Sequence, residues 1–259
     1  MIPKIIHYTW FSNDKMPSNT IECINTWKQL MPDYELRLWD MKALQEIDSE
    51  YLQEALEAKK WACAADLVRL YAVYHYGGIY MDTDVKVFKS FDPLLHHRVF
   101  IGKETSIIID WERAQYLSAH CFGAEKGHPY IKNCLDYFKD IHFKISKIES
   151  FPVRMKYNMV FLPYIQSEMA KPYGYDNRPL EQYIQQCKEG IVIYPSRYFD
   201  PGRITTESYC KHLALGSWRG NEKGKKGKPA GRLEAFLVFS VLNGFLAKHT
   251  KYHNKILYI

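Results

Sequence analysis

The chain has 259 residues, of which 47% are hydrophobic and 25% charged, and a formal net charge of +6. A chain of this length can bury a substantial core as one domain, or as one domain with an appendage. No signal-peptide pattern and no run of about 18 apolar residues is present, and the six cysteines are scattered, unlike those of a secreted disulfide scaffold. We therefore expect a cytoplasmic protein with reduced cysteines.

The charge is unevenly distributed along the chain. From Arg219 to the end the net charge is +7, so the preceding residues together carry −1. This asymmetry argues against a basic nucleic-acid groove across the fold and favours a polar surface partner at the C-terminus. We expect no nucleic-acid partner.

The first third of the chain alternates between strand and helix patterns. The β-type run "KIIHYTW" is followed by a helix pattern, for which Ser18 or Asn19 is the expected N-cap, and then by the alternating run "YELRLWD". A helical stretch over about 49–75, broken near 59–60, stops at a glycine pair, and "IYMDTDVKVF" follows as a third strand. This order predicts a largely parallel sheet with helices on both faces and ligands at the carboxyl ends of its strands.

The second half gives a coarser pattern. "RVFIGKE" and "GIVIYPS" are typical of strands and "HPYIKNCLDYFKDI" of a helix. From Arg219 a Gly/Lys linker leads into "LEAFLVFSVLNGFLAKH", an amphipathic helix pattern bracketed by lysines. We therefore divide the chain into a body, 1–218, and a C-terminal segment, 219–259. That segment either packs on the body or lies on an anionic membrane surface that attracts its lysines.

Two aspartates, Asp82 and Asp84, interrupt the third strand. Charged groups in an apolar strand are unfavourable unless they are paired or bind a cation, and two neighbouring carboxylates repel each other. Oxygen ligands at a strand end suit Mg²⁺ or Mn²⁺, which would face a diphosphate and stabilise the charge on a leaving group. Because a bare D-x-D motif is common by chance, its weight depends on its context.

Three features supply that context. Asp66 and Arg69 share a helix face with alanines, so they form either a surface ion pair or an inward pair that holds sugar hydroxyls and phosphate. Trp10 ends the first strand, where it either packs in the core or stacks on a base. The motif "KHLALGSW" offers a histidine, either packed or a metal ligand, together with Ser217 and Trp218 as donors to phosphate.

Five stretches in order resemble glycosyltransferase family 32: "IPKIIHYTWF", "EAKKWACAADLVRLYAVYHYGGIYMDTDV", "FGAEKGHP", "IYPSRYF" and "HLALGSW". These DXD-containing sugar-binding transferases are common in bacterial capsule and lipopolysaccharide clusters, and relatives include yeast mannosyltransferases and, more remotely, clostridial glucosylating toxins. The resemblance covers about 2–218 and not 219–259. It implies that the body is a catalytic domain with an α/β fold of the GT-A nucleotide-diphospho-sugar transferase type, a Rossmann-like mixed sheet flanked by helices.

The resemblance also implies a role for each matched residue. The implied donor-binding residues are Thr9, Trp10, Asp66, Arg69, Tyr80, Ser217 and Trp218. The implied metal-binding residues are Asp82, Asp84 and His212, and the two aspartates are the implied catalytic residues. The chain departs from the family at Leu117-Ser118, where many relatives carry Asn-Thr, and at Lys211, where they often carry a second histidine. The first departure concerns sugar or acceptor contacts, and the second leaves one histidine ligand.

The activity implied is that of a retaining, Mn²⁺- or Mg²⁺-dependent hexosyltransferase. It would move galactose, glucose or N-acetylglucosamine from a UDP-sugar to a hydroxyl of a glycan or lipid-linked oligosaccharide, in capsule or O-antigen synthesis. The protein would be peripheral on the inner face of the cytoplasmic membrane. Retention without an evident enzyme nucleophile favours front-face attack, so we name no general base.

Two alternative functions stay open. A haloacid-dehalogenase-like phosphatase also carries a D-x-D at a strand end, but its signature has Thr or Val where this chain has Lys86. A non-catalytic carbohydrate-binding or membrane adaptor would use the aromatic residues, 15% of the chain, to stack on sugars. The adaptor does not explain acidic residues in an apolar strand beside an Asp/Arg helix. Turnover of a donor would separate these alternatives from a transferase.

Overall fold

The computed structural model describes residues 1–12, 14–105, 116–146, 156–178 and 183–215. The helices in these ranges are α1 (Ser18–Leu30), α2 (Glu50–Glu57), α3 (Trp61–Tyr76), α4 (Pro129–Asp136) and α5 (Leu162–Ala170). The strands are β1 (Ile5–Thr9), β2 (Glu35–Trp39), β3 (Gly78–Met81), β4 (Val85–Val87), β5 (Val99–Lys103), β6 (Leu117–Ala124), β7 (Gln185–Gln186), β8 (Ile191–Tyr194) and β9 (Cys210–His212).

Seven of the strands form one mixed sheet in the order β2-β1-β3-β6-β5-β8-β7, and β4 and β9 form a second, two-stranded sheet. β1 is parallel to β2 and β3, and β5 is parallel to β8, whereas β6 runs antiparallel to both β3 and β5. The expected α/β fold with a mixed sheet flanked by helices is confirmed. The expectation of a largely parallel sheet is wrong, because β6 enters the centre of the sheet in the opposite direction.

The large sheet is covered by helices on both faces. Successive side chains of a strand point to opposite faces, and those of β3 enter two different cores. Ile79 and Met81 pack with Trp27 of α1, whereas Tyr80 packs with Val73 of α3 in the larger core, which also contains buried residues of α2, α4 and α5. The strand that leads to the two aspartates is therefore buried along its whole length.

The stretch "IYMDTDVKVF" does not form the single strand that its apolar pattern predicts. β3 ends at Met81, and the chain turns through 82–84, where the Val85 N–H donates to the Asp82 carbonyl oxygen at 3.0 Å. β4 then pairs antiparallel with β9 in the small sheet. The turn places both aspartates at the carboxyl end of β3.

The predicted helix boundaries are partly confirmed. The break near 59–60 is present, because Lys59 has a φ of 55° between α2 and α3. The Ser49 hydroxyl caps α2 by accepting the Leu52 N–H at 3.3 Å. The predicted N-cap of α1 is wrong, because the chain is still extended at Pro17 and residue 18 is already helical, so neither Ser18 nor Asn19 caps this helix.

The C-terminal segment, 219–259, lies outside the described residues, so its predicted helix and its division from the body stay predictions. All six cysteines lie in the described residues; they are free, and five of them are buried. Within the described part of the chain, no helix has the length and apolar character needed to cross a membrane.

Buried polar contacts hold the turn from α3 into β3. Gly78 has a φ of 101°, and a Cβ there would lie 2.6 Å from the Ile5 carbonyl oxygen, so only glycine fits. His7 Nε2 donates to the Gly77 carbonyl oxygen at 2.8 Å, and its Nδ1 accepts the Trp39 indole N–H at 3.1 Å. Burial lowers the pKa of His7 to about 4, so its imidazole is neutral in the folded protein at neutral pH.

The contact at His7 should make the fold sensitive to acid. Because the ordinary pKa of histidine is 6.5, the unfolded chain binds more protons than the folded one between pH 6.5 and about 4, and stability falls as the pH falls through that window. We expect His7 to account for about 2 kcal/mol of the free energy of unfolding lost between about pH 8 and about pH 5, measured by urea titration. A His7→Gln variant should be less stable at the higher pH, and its free energy of unfolding should fall less on acidification. Equal losses in both proteins would contradict this role.

Candidate active site

The candidate site is a cleft at the carboxyl ends of β1 and β3, which are parallel neighbours in the sheet. Six of the residues predicted for the site line this cleft: Thr9, Trp10, Arg69, Asp82, Asp84 and His212. Two more predicted residues, Asp66 and Tyr80, contact the cleft residues directly. Ser217 and Trp218 lie outside the described residues, so their predicted roles stay predictions.

Asp82 is held by a buried arginine and a tyrosine. Arg69 Nη2 lies 3.0 Å from Asp66 Oδ1 and 3.5 Å from Asp82 Oδ1, and the Tyr80 hydroxyl donates to the same Asp82 oxygen at 2.9 Å. The Arg69 side chain is only 7% exposed. The pair formed by Asp66 and Arg69 is therefore directed inward, as the alanines on its helix face indicate, and is not a surface ion pair.

Backbone groups fix the orientation of Arg69. Its Nη1 donates to the Ala119 carbonyl oxygen of β6 at 2.6 Å, and its Nε donates to the Ala65 carbonyl oxygen at 3.2 Å. The guanidinium carbon lies 4.6 Å from the centre of the Tyr80 ring. Burial, with a smaller contribution from the Asp82 charge, raises the pKa of Asp66 to about 7 against the opposing effect of the Arg69 charge. The cluster thus holds two carboxylates around one rigid cation.

Asp84 is held by the C-terminal part of the described chain. His212 Nε2, at the end of β9, lies 3.2 Å from Asp84 Oδ1, and the Leu215 N–H donates to Asp84 Oδ2 at 2.8 Å. Burial alone would lower the pKa of His212, but the hydrogen bond and charge of Asp84 raise it to about 9. Burial alone would raise the pKa of Asp84, whereas His212 and the Leu215 N–H lower it overall.

Asp82, Asp84 and His212 meet the requirements of a divalent-cation site. Their ligand atoms all lie within 4.8 Å of one another and border the cleft. Two carboxylates and an imidazole are ligands that transition-metal cations accept, and carboxylates are the preferred ligands of Mn²⁺ and Mg²⁺. The carboxylates do not depend on a cation to offset their repulsion, because Arg69 faces Asp82 and His212 faces Asp84. The residues present therefore fit the predicted metal.

Trp10 and Thr9 mark the end of the cleft at β1. Trp10 is only partly buried, and its indole N–H donates to the Asp14 carbonyl oxygen at 3.0 Å. The Thr9 hydroxyl lies 3.3 Å from the Tyr80 hydroxyl. Trp10 is thus a wall of the cleft, in contrast to Trp27, which is fully buried in the core.

Sequence reasoning missed further residues of the site, among them three with ring side chains. Phe11 and Trp61 line the same cleft, with ring centres 6.4 Å apart. His120 stacks on His212, with ring centres 4.7 Å apart. Trp61 could have been found, because it precedes the two cleft alanines at the start of the helix that carries Asp66. His120 gave no usable signal, because the strand that carries it was not predicted.

Residues 17–101 match the family model described as "Glycosyltransferase sugar-binding region containing DXD motif". This segment of the chain is similar to the DXD-containing glycosyltransferase family. The matched segment includes the helix with Asp66 and Arg69 and the turn with Asp82 and Asp84. The family match agrees with the predicted GT-A type of fold.

Two curated relatives of this DXD-containing chain come from Schizosaccharomyces pombe. "Inositol phosphoceramide mannosyltransferase 3" is 33% identical over 134 residues, which are 50% of this chain and 35% of the relative. "Inositol phosphoceramide mannosyltransferase 1" is 26% identical over 237 residues, 85% of this chain and 63% of the relative. The chain thus spans less than two thirds of the length of either relative.

Among solved structures, "PaToxG Glycosyltransferase" is similar to this chain. The superposition covers 66% of this chain and 69% of the other, with 18% sequence identity and a TM-score of 0.44. A TM-score below 0.5 does not establish a common fold. The similarity to the family therefore rests on the matched segment, and the description of the fold rests on the order and direction of the strands.

Removal of the buried arginine should destabilise the protein strongly. In an Arg69→Leu variant, Asp66 and Asp82 lose their common cation, and an unpaired buried charge typically costs about 3 to 5 kcal/mol. Urea unfolding at neutral pH should show a loss of this size, and adding Asp66→Asn should recover part of it. The matched control is Arg98→Leu, which removes a surface arginine 44% exposed and should cost about 1 kcal/mol or less. Equal losses at the two sites would contradict the buried network.

Proposed function

We propose that the protein is a metal-dependent glycosyltransferase that moves a hexose from a nucleotide-diphosphate sugar to a hydroxyl group of a glycan or lipid acceptor. The observation that carries the proposal is the meeting of Asp82, Asp84 and His212 within 4.8 Å in a cleft. Arg69, which is paired with Asp66, lines the same cleft. Neither a phosphatase nor a binding module requires this combination of groups, and the family match favours a transferase.

The cleft offers a distinct group to each part of the donor. Trp10, half-buried at the end of β1, would stack on the base. The Thr9 hydroxyl, next to Trp10 in the chain, lies 3.3 Å from the Tyr80 hydroxyl, which donates to Asp82; this supports their assignment to the ribose and phosphates. Arg69, fixed by backbone carbonyls, and its partner Asp66 would hold hydroxyls of the donor sugar.

Asp82, Asp84 and His212 would hold the cation, for which we propose Mn²⁺ or Mg²⁺. A bound cation would supply Lewis-acid stabilisation of the charge that develops on the leaving diphosphate. Leu215 contacts Asp84, which brings the chain beside the cation site three residues before the predicted phosphate donor Trp218. This proximity supports the proposal that Ser217 and Trp218 donate to the phosphates of the donor.

We propose transfer with retention of configuration by front-face attack. Among the described residues that line the cleft, the carboxylates are those of Asp82 and Asp84, and both accept hydrogen bonds from fixed partners. Neither is a free nucleophile for the anomeric carbon. The leaving phosphate oxygen would then help to take the proton of the acceptor hydroxyl, so no general base is assigned.

The identity of the sugar and of the acceptor is a narrower proposal. The resemblance favours a UDP-linked galactose, glucose or N-acetylglucosamine and an acceptor in capsule or O-antigen synthesis. The names of the curated relatives add mannose to the candidate sugars and an inositol phosphoceramide-like lipid headgroup to the candidate acceptors. Both sets share one chemistry, transfer of a hexose to a hydroxyl of a polyol or sugar.

We also propose that residues 219–259 attach the protein to the anionic inner face of the cytoplasmic membrane. The seven net positive charges of that segment and its amphipathic pattern support it. Sedimentation with anionic liposomes, with and without 219–259, tests it. Equal binding by both proteins would remove this part of the proposal.

The test of the proposed activity is nucleotide release from a panel of UDP-hexoses and GDP-mannose, with Mn²⁺ and with EDTA, each with a polyol, an oligosaccharide or an inositol lipid as acceptor. We expect one donor to be turned over only with the metal. Asp84→Ala should lower that rate at least about 100-fold, because a metal ligand is lost. Arg98 contacts Glu125 and Glu189 and does not line the cleft, so Arg98→Leu should leave the rate of donor turnover unchanged. Full activity of Asp84→Ala would contradict the metal assignment.

A further inference from the structure

We infer that His120 is a positioning residue that fixes the ring of His212 so that His212 Nε2 faces Asp84 and the proposed cation. The inference rests on the proposed function and adds a residue to which no role in the site has been assigned. His120 lies on β6, the central antiparallel strand of the large sheet, and is only 4% exposed.

The contact between the two histidines is a ring stack. The ring centres lie 4.7 Å apart with 19° between the ring planes, so one face of His212 lies against His120. The edge of His212 that carries Nε2 lies 3.2 Å from Asp84 Oδ1. His120 therefore sets the plane of the His212 ring, and Asp84 contacts its Nε2 atom.

His120 is itself held on both ring nitrogens. Nε2 lies 3.2 Å from the Phe199 carbonyl oxygen, which can only accept, so Nε2 carries the proton. Nδ1 then accepts from the Ser118 hydroxyl at 2.6 Å. The neutral tautomer with its proton on Nε2 satisfies both hydrogen bonds, which hold the His120 ring in place.

The backbone of His120 contacts the same site from the sheet. Its carbonyl oxygen accepts the Asp82 N–H at 2.9 Å, which continues the pairing of β3 with β6 beyond Met81. One residue thus holds the first aspartate through its backbone and faces the histidine ligand through its side chain. The large sheet is connected in this way to both halves of the proposed cation site.

His212 needs such support because its own strand is weakly anchored. β9 has three residues and pairs only with the three-residue β4 in the described part of the chain. Ala214, two residues further on, has a φ of 51°, a left-handed backbone conformation that residues other than glycine rarely adopt. The ring stack connects this short strand to the rigid centre of the large sheet.

The experiment is a titration with Mn²⁺, read as the loss of the free-ion electron paramagnetic resonance signal, alone and with UDP or GDP. The proteins are the unchanged chain, His120→Asn, His212→Ala and the double variant. We expect His120→Asn to bind Mn²⁺ about 10-fold more weakly, as is usual when the neighbour that orients a metal ligand is lost. When His212→Ala is already present, adding His120→Asn should not weaken Mn²⁺ binding further, because His120 acts through His212.

Two further variants separate positioning from general damage to the fold. His128→Asn replaces another buried histidine, which caps α4 away from the cleft, and should leave Mn²⁺ affinity unchanged. Ser118→Ala keeps both rings but removes the hydroxyl that fixes His120, and should weaken Mn²⁺ binding several-fold even if His120→Asn does not fold.

Unchanged affinity in His120→Asn and Ser118→Ala would overturn the inference, and so would an equal loss in the presence and absence of His212. These outcomes leave the proposed function intact if the unchanged chain binds Mn²⁺ and Asp84→Ala does not. If the unchanged chain does not bind Mn²⁺ alone, with UDP or with GDP, both the cation site and the role of His120 are overturned.

Discussion

The turn at 82–84 is the constraint on which the site depends. β3 belongs to the large sheet, whereas β4, only three residues later, pairs with β9 in the small one. The direction of the chain must therefore change between Met81 and Val85, and the two aspartates lie within that change. Asp82 consequently meets Arg69 of α3, and Asp84 meets His212 of β9. Segments far apart in the chain converge because one short turn connects two sheets.

The electrostatics of the site follow from this geometry. Each carboxylate has its own partners, so the protein holds the pair in place by itself: Arg69 and Tyr80 face Asp82, and His212 and the Leu215 N–H face Asp84. Oxygen atoms oriented before a ligand arrives need little rearrangement when charge develops nearby. The buried arginine also connects α3 to the Ala119 carbonyl oxygen of β6, so the packing of the core and the geometry of the cleft are not independent.

Local patterns predicted the parts of the site that lie close together in the chain. The D-x-D, the inward direction of Asp66 and Arg69, and the place of Trp10 at a strand end follow from spacing and strand order. The meeting of His212 with Asp84 followed only from the resemblance, since it depends on pairing between two three-residue strands. β6 escaped prediction because all eight of its residues are buried, so its sequence shows no alternation of polar and apolar residues. His120 could not be found without that strand.

The measurement that tests the central claim most directly is the anomalous scattering of Mn²⁺ in a crystal of the protein grown with UDP or GDP. We expect one strong peak within coordination distance, about 2.0 to 2.4 Å, of Asp82, Asp84 and His212, with the diphosphate on its open side. A peak elsewhere, or a nucleotide bound in the cleft with no peak beside these three residues, would contradict the claim that the turn at 82–84 and the end of β9 together form a cation site.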